Sequence, residues 1–182
     1  MKALKITLIV LGALVVAVLG GLYYAGFFAS IEIKEQQAGG YLLVGTDYTG
    51  AYSSVGCPMK SVDSALRANN IKCTKGFGIY YDDPKVTTQE KCRSYLGNIL
   101  ENADSTQLSI IKGLGLKIDS LPIKPSSVIE YNVTSPLSYI IGPMKAYPAF
   151  DKHAKEKALV STIFIEVYDV PNKKVFFIMQ HQ

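Results

Sequence analysis

Two stretches of the chain gather apolar, β-branched and aromatic residues in the manner of strands, and they end alike. Residues 75–84, Lys75-Gly-Phe-Gly-Ile-Tyr-Tyr-Asp-Asp-Pro84, and residues 160–171, Val160-Ser-Thr-Ile-Phe-Ile-Glu-Val-Tyr-Asp-Val-Pro171, are rich in β-branched and aromatic residues. Both close on Tyr-Asp-x-Pro, a stop through which a ladder cannot continue. Tyr81, Asp82 and Pro84 lie 87 positions before Tyr168, Asp169 and Pro171. The same shift carries Tyr52 onto Tyr139 and the apolar run 41–44 onto 128–131. A constant offset at three separate places predicts a duplicated unit.

The remaining pattern fills in each copy. Residues 31–35 alternate as a strand does, and 41–44 continue or restart it after Gly39-Gly40, which predicts a bulge or bend. Met59, Val62 and Leu66 recur at helical spacing, with Pro58 in the first turn and Asn69-Asn70 as the stop. A strand over 92–100 closes a hairpin with 75–82, and 101–106 reads as loop. Residues 107–117 fit a strand or a short helix equally. After the connector 121–125, a strand over 127–133 opens the second unit. Residues 137–159 read as mainly helical, interrupted at Gly142-Pro143 and Tyr147-Pro148, and a last strand follows at 174–179. Strand, helix, strand, strand thus occurs twice. The predicted fold is α+β: a domain at 31–182, with halves at about 31–105 and 121–182. The halves join into one antiparallel sheet with two helices on one face, leaving a groove on the other.

Residues 6–28 carry no charge and are dense in Leu, Val, Ile, Ala and Gly. At about 1.5 Å per residue they reach roughly 34 Å as a helix, enough to cross the hydrocarbon core. A cleavable secretory signal would have a shorter apolar stretch and a small-x-small site, and 25–30 offer a poor one. The expectation is an uncleaved single-pass anchor over 1–30, with Tyr23 and Tyr24 at the interface. Lys2 and Lys5 precede the span and only Lys34 follows closely. This favours a cytoplasmic N-terminus and an extracytoplasmic domain, although the opposite orientation stays open.

Composition narrows the function classes. Lys and Arg number 19 against 15 Asp and Glu, and two of the lysines lie before the span. The domain is too balanced in charge to argue for nucleic acid, and no basic cluster with interleaved aromatics occurs. Cys57, Cys73 and Cys92 have no metal-ligand spacing and there are two histidines, so neither a metal nor a cofactor is expected. The cysteines read as small buried hydrophobes. Asn132-Val-Thr134 is a formal glycosylation acceptor, taken by default as a chance match. Tyrosine occurs 12 times and tryptophan not at all, which suits a half-wet binding surface as well as a core.

The candidate chemistry centres on Glu166. Val160, Thr162, Phe164, Glu166 and Tyr168 share one face of their strand, and Ile163, Ile165 and Val167 the other. A carboxylate in a strand apolar on both sides costs several kcal/mol unless it is paired, protonated or facing a polar cavity. By the 87-residue offset, Tyr81 and Phe77 answer Tyr168 and Phe164 and are expected on the Glu166 face. Tyr52 and Tyr139 open the two helices and stand at the rim. Such a site would hold an amphiphilic or cationic molecule through charge and cation–π attraction. Alternatively, Glu166 meets a tyrosine hydroxyl or Arg93 inside the core. Asp82 and Asp83 read as turn formers.

Residues 78–84, followed by Lys91-Cys-Arg93 and Gly97, together with Ile165-Glu-Val-Tyr168, resemble the GyrI-like small-molecule-binding domain. Residues 136–141, 147–150 and 155–159 look similar to a subgroup with one N-terminal membrane span, which includes an animal endoplasmic-reticulum autophagy receptor. The resemblance covers about residues 31–180. It implies a duplicated strand-helix-strand-strand fold and a multidrug-type ligand groove between the halves. It matches Glu166 to a glutamate that contacts cationic or polarised ligands and in some enzymes helps open strained cyclopropane rings. Autophagy is not expected to carry over, because no long acidic tail follows residue 182 and the expected orientation disagrees with a cytosolic domain. Three functions therefore stand: a membrane-anchored binder, a hydrolase using Glu166 as catalytic base, and an interaction module with an unused groove.

Overall fold

The computed structural model describes residues 2–181, without the side chains of Ser161 and Thr162; the placement expected for Thr162 therefore lies outside the described residues. The chain runs α1 (Lys2–Tyr24), β1 (Ile33–Ala38), β2 (Tyr41–Thr49), α2 (Gly56–Ala68), β3 (Lys75–Tyr80), β4 (Arg93–Leu100), α3 (Ser105–Gly113), β5 (Lys117–Leu121), β6 (Lys124–Asn132), α4 (Ser138–Lys157), β7 (Ser161–Asp169) and β8 (Lys174–His181). The strands form one antiparallel sheet in the order β1-β6-β8-β7-β3-β4-β2-β5. β2-α2-β3-β4 and β6-α4-β7-β8 are the two repeats, and they meet at the β3–β7 ladder.

The leading strands cross between repeats. β1 runs into β2 through Gly39-Gly40 yet pairs with β6, while β5 runs into β6 and pairs with β2. Each pair is a long strand bent in the middle, and the sheet's two edges come together at these bends. Gly39, at φ +121°, passes so close to Pro122 that a Cβ there would lie 2.1 Å from its carbonyl oxygen. Only glycine fits. The predicted bend is therefore a crossing point.

This curvature changes the face opposite the helices. Leu43, Phe77, Ile79, Tyr95, Ile99, Leu121, Val128, Ile165, Val167 and Ile178 pack together there as one buried core. The expected open groove on that side is filled, because the bent sheet buries its inner face against itself. The helices cover the outer face, α4 over one repeat and α2 with α3 over the other.

Two local expectations shift. Residues 105–113 form a helix, started by a capping box in which Asp104 accepts from the Gln107 backbone N–H at 2.7 Å. Residues 117–121 are strand. α4 runs unbroken through Pro143 and Pro148. Each proline deprives the carbonyl four residues back of its donor, but those residues, Tyr139 and Met144, are exposed, where an unpaired carbonyl costs far less than in a dry core.

Candidate functional site

The β3–β7 register fixes which side chains meet. Glu166 lies opposite Gly78, Tyr168 opposite Gly76, and Phe164 opposite Tyr80. These residues point to the helix-covered face. Phe77 and Ile79 lie opposite Val167 and Ile165, so Phe77 belongs to the inner core, edge-on to Tyr95 at 5.1 Å. Tyr81 continues on that inner side. It is half exposed, and burial pushes its hydroxyl proton affinity up, modified by Lys117, Asp47 and Asp119 nearby. The expectation that Phe77 and Tyr81 share the Glu166 face is therefore corrected. Their place is taken by Tyr80, whose hydroxyl is 3.4 Å from that of Tyr168.

The error has a single cause. Tyr80 and Tyr168 are 88 positions apart, whereas the sequence echo pairs Tyr81 with Tyr168 at 87. A one-residue slip turns a side chain through the sheet. The Tyr-Asp-x-Pro match is real in sequence but one step out of structural register.

Above the sheet, α4 presents Tyr139, Pro143 and Tyr147 along one face at fourfold spacing. Tyr147 donates its hydroxyl hydrogen to Glu166 Oε1 at 2.5 Å, and Tyr168 donates to Oε2. With the Tyr168 proton committed to the carboxylate, Tyr80 is the donor in the Tyr80–Tyr168 contact, which makes a relay of two phenols ending on Glu166. The Tyr139 ring lies 6.1 Å from that of Tyr168, and Tyr147 is edge-on to Phe164 at 5.5 Å. Tyr147 is the residue that sequence reading missed. Its eight-residue spacing from Tyr139 was the available signal, hidden by reading Pro143 and Pro148 as breaks.

Glu166 is 5% exposed and has no cationic partner among the described residues. Burial raises its proton affinity above the ordinary carboxylate range, opposed by the hydrogen bonds from Tyr147 and Tyr168. Burial and the Glu166 charge push Tyr147 and Tyr168 well above the usual phenol range. Burial does the same to Tyr80. The three phenols therefore keep their protons, and Glu166 takes one up more readily than an ordinary carboxylate does.

The other expected members play different parts. Tyr52 is edge-on to Tyr80 at 4.8 Å, but its hydroxyl donates toward the Asp82 and Arg93 carbonyls and accepts from the Asp82 N–H. It braces the end of the hairpin. Arg93 grips the Asp82 carboxylate at 2.8 and 2.9 Å and is not a partner of Glu166. Asp83 accepts from the Lys85 N–H, so both aspartates are turn formers. Phe164 borders a shallow hollow of about 280 Å³ walled also by Phe150, Leu159 and Met179, which Glu166 does not line. Cys73 and Cys92 are buried, Cys57 is exposed, and all three are free thiols.

A second polar cluster lies at the far edge of the sheet. Both histidines converge on Glu35, with Ser127 Oγ 2.9 Å from Glu35 and 3.1 Å from His181 Nε2. Serine and carboxylate meet the same ring nitrogen, while His181 Nδ1 is buried with no partner among the described residues. A charge-relay triad needs the two on opposite nitrogens, so this is not one.

No protein-family model matches the chain. The testis-expressed protein 264 homolog of Mus musculus is 30% identical over 100 residues, covering 52% of this chain and 32% of that protein. Testis-expressed protein 264 of Homo sapiens is 28% identical over the same length. The chain thus spans about a third of the length of the curated relatives it matches. Among solved structures, a Vibrio cholerae integron cassette protein aligns with a TM-score of 0.54 at 10% identity, over 85% of this chain and 97% of its own. The EcmrR C-terminal domain aligns with 0.54 at 9%, over 84% and 97%. A Listeria innocua protein described as a hydrolase aligns with 0.50 at 8%, over 83% and 92%. The likeness to the solved structures is one of fold. The α+β architecture read from the sequence is the one these proteins share.

Proposed function

We propose that the chain is a membrane-anchored small-molecule-binding protein whose ligand, amphiphilic and cationic, is read by Glu166 within its tyrosine cluster. One observation carries the reading: a carboxylate buried at the junction of two repeats, satisfied by two phenols and with no counter-cation among the described residues. Burying a carboxylate without a positive partner is costly, and a lipophilic cation would supply the missing charge while the surrounding rings add cation–π attraction of about 0.5–2 kcal/mol each. In the structure the phenols of Tyr147 and Tyr168 close over the carboxylate. Binding therefore requires these hydroxyls to give way, and a ligand amine or onium takes their place.

α1 supports the anchoring part of the reading. It is long and apolar enough to cross a membrane, with a mean hydropathy of 2.5. Lys2 and Lys5 ahead of it favour a cytoplasmic N-terminus and an extracytoplasmic domain. No cofactor or nucleic acid is invoked.

The test is a thermal-unfolding titration of the full chain in lipid nanodiscs with tetraphenylphosphonium, beside Glu166→Gln. Saturating ligand at a hundredfold over its dissociation constant stabilises a binder by about 2.7 kcal/mol, and Glu166→Gln loses most of this. Equal stabilisation of both proteins removes Glu166 from the site.

Hydrolysis is the second reading, favoured by the raised proton affinity of Glu166 beside two phenols. There, Glu166 activates water and a tyrosine polarises a strained ring. Glu166→Gln then abolishes turnover while binding persists. An interaction module with an unused groove predicts no ligand response in either protein.

A further inference from the structure

The end of α1 is tied directly to the folded domain. Thr134 donates to the Tyr24 carbonyl, and Tyr131 and Ser138 to that of Ala25, at 2.5, 3.1 and 3.3 Å. Lys145 Nζ donates to the carbonyls of Gly26, Phe27 and Ala29. Carbonyls at a helix end lack intrahelical partners; the domain supplies one to Tyr24, the last residue of α1, and others to the turn that follows it. Ser138 and Lys145 belong to α4, so that helix starts where the apolar span stops.

The outer face of α4 has a matching character. Leu137 at its cap, Ile140 and Met144 are spaced to form one stripe and are 49%, 60% and 63% exposed. Further along the same stripe come Asp151 and Lys155. The apolar half is the half next to the anchor, and the charged half is remote from it. Tyr23, Tyr24, Phe27 and Phe28 are also exposed at this junction, as aromatic residues are where a span meets water.

We infer that the Leu137–Ile140–Met144 face of α4 lies in the headgroup–acyl boundary of the bilayer that α1 crosses, seating the domain on the membrane. This rests on the reading of α1 as a membrane anchor. The hydrogen bonds from Thr134, Ser138 and Lys145 fix the stripe beside the exit point of the span, so the occupant within reach is lipid. An aliphatic stripe that turns charged with distance from the anchor is the pattern of a helix entering the interface by one end. The seat also bears on the site. Tyr139 and Tyr147 occupy the neighbouring face of the same helix, so an amphiphile dissolved in the bilayer reaches the tyrosine cluster without crossing water.

The experiment uses the full chain in phosphatidylcholine vesicles, with the exposed Cys57 changed to Ser. An environment-sensitive dye is placed in turn at Leu14→Cys, Ile140→Cys and Lys155→Cys, and quenched by nitroxide lipids labelled deep or shallow. The expected result is deep quenching at 14, shallow quenching at 140 several-fold greater than at 155, and flotation with vesicles after an alkaline wash. If the chain floats and 14 is quenched but 140 and 155 match, the seat is overturned and the anchor stands. If the chain does not float, both fail.

Discussion

Tyr168 and Tyr147 hold Glu166 from opposite sides, one from its own strand and one from the helix above, each occupying a different carboxylate oxygen. The carboxylate is thereby a joint between sheet and helix as well as the proposed ligand-reading group. The two roles separate in mutants.

Tyr168→Phe leaves Glu166 Oε2 without its donor in a buried site. It is expected to lower stability by about 1–3 kcal/mol, measured by urea unfolding. Combined with Glu166→Gln, the two losses should fall short of additive, because they break the same contact. Full additivity would mean that the Tyr168–Glu166 bond contributes nothing.

The raised proton affinity of Glu166 gives its stability contribution a definite sign. The folded chain holds this proton more tightly than the unfolded chain, so the contribution is complete below the ordinary value of 4.5 and is lost as pH rises through the raised value. Glu35 acts oppositely: burial raises it, but His153, Ser127 and Lys157 bring the net shift downward. Its contribution is therefore lost as pH falls. The difference in unfolding free energy between wild type and Glu166→Gln isolates the first effect and should decrease as pH rises through this window. Binding of a lipophilic cation, which needs the ionised carboxylate, should strengthen across the same window.

Gly97 and Gly45 face each other between β4 and β2, and a Cβ on Gly97 would sit 2.0 Å from the Val44 carbonyl oxygen. Gly97→Ala must push two backbones apart and is expected to cost on the order of 3 kcal/mol or more. Gly56→Ala, at the start of α2 with open space around it, should be neutral or stabilising by up to about 1 kcal/mol. Thermal unfolding of the pair checks both.

Asp104→Ala removes the cap of α3 and is expected to cost about 1 kcal/mol. Loss of amide protection confined to residues 105–113 would be its signature in hydrogen exchange.

The repeated strand-helix-strand-strand order was legible because hydrophobic period and stop residues are local properties. Glu166 stood out for the same reason, as a charge where the pattern calls for an apolar residue. What escaped was long-range. Whether Tyr80 or Tyr81 faces Glu166 depends on register with another strand, and no period within 75–82 encodes it. Tyr147 was hidden because a proline's effect on a helix depends on whether water can reach the orphaned carbonyl. The filled inner face follows from the crossing at Gly39, whose glycines alone predict a bend but not its partner.

That crossing has a consequence for taking the protein apart. Cutting the loop at 114–116 would leave an amino-terminal piece holding the flap that closes the other piece's border, and the reverse. Neither fragment could cover its own margin, but a mixture of both should reassemble, each returning what it borrowed. The two repeats are thus interlocked: they can differ, as Gly78 and Glu166 do, yet each keeps an edge strand that belongs to the other.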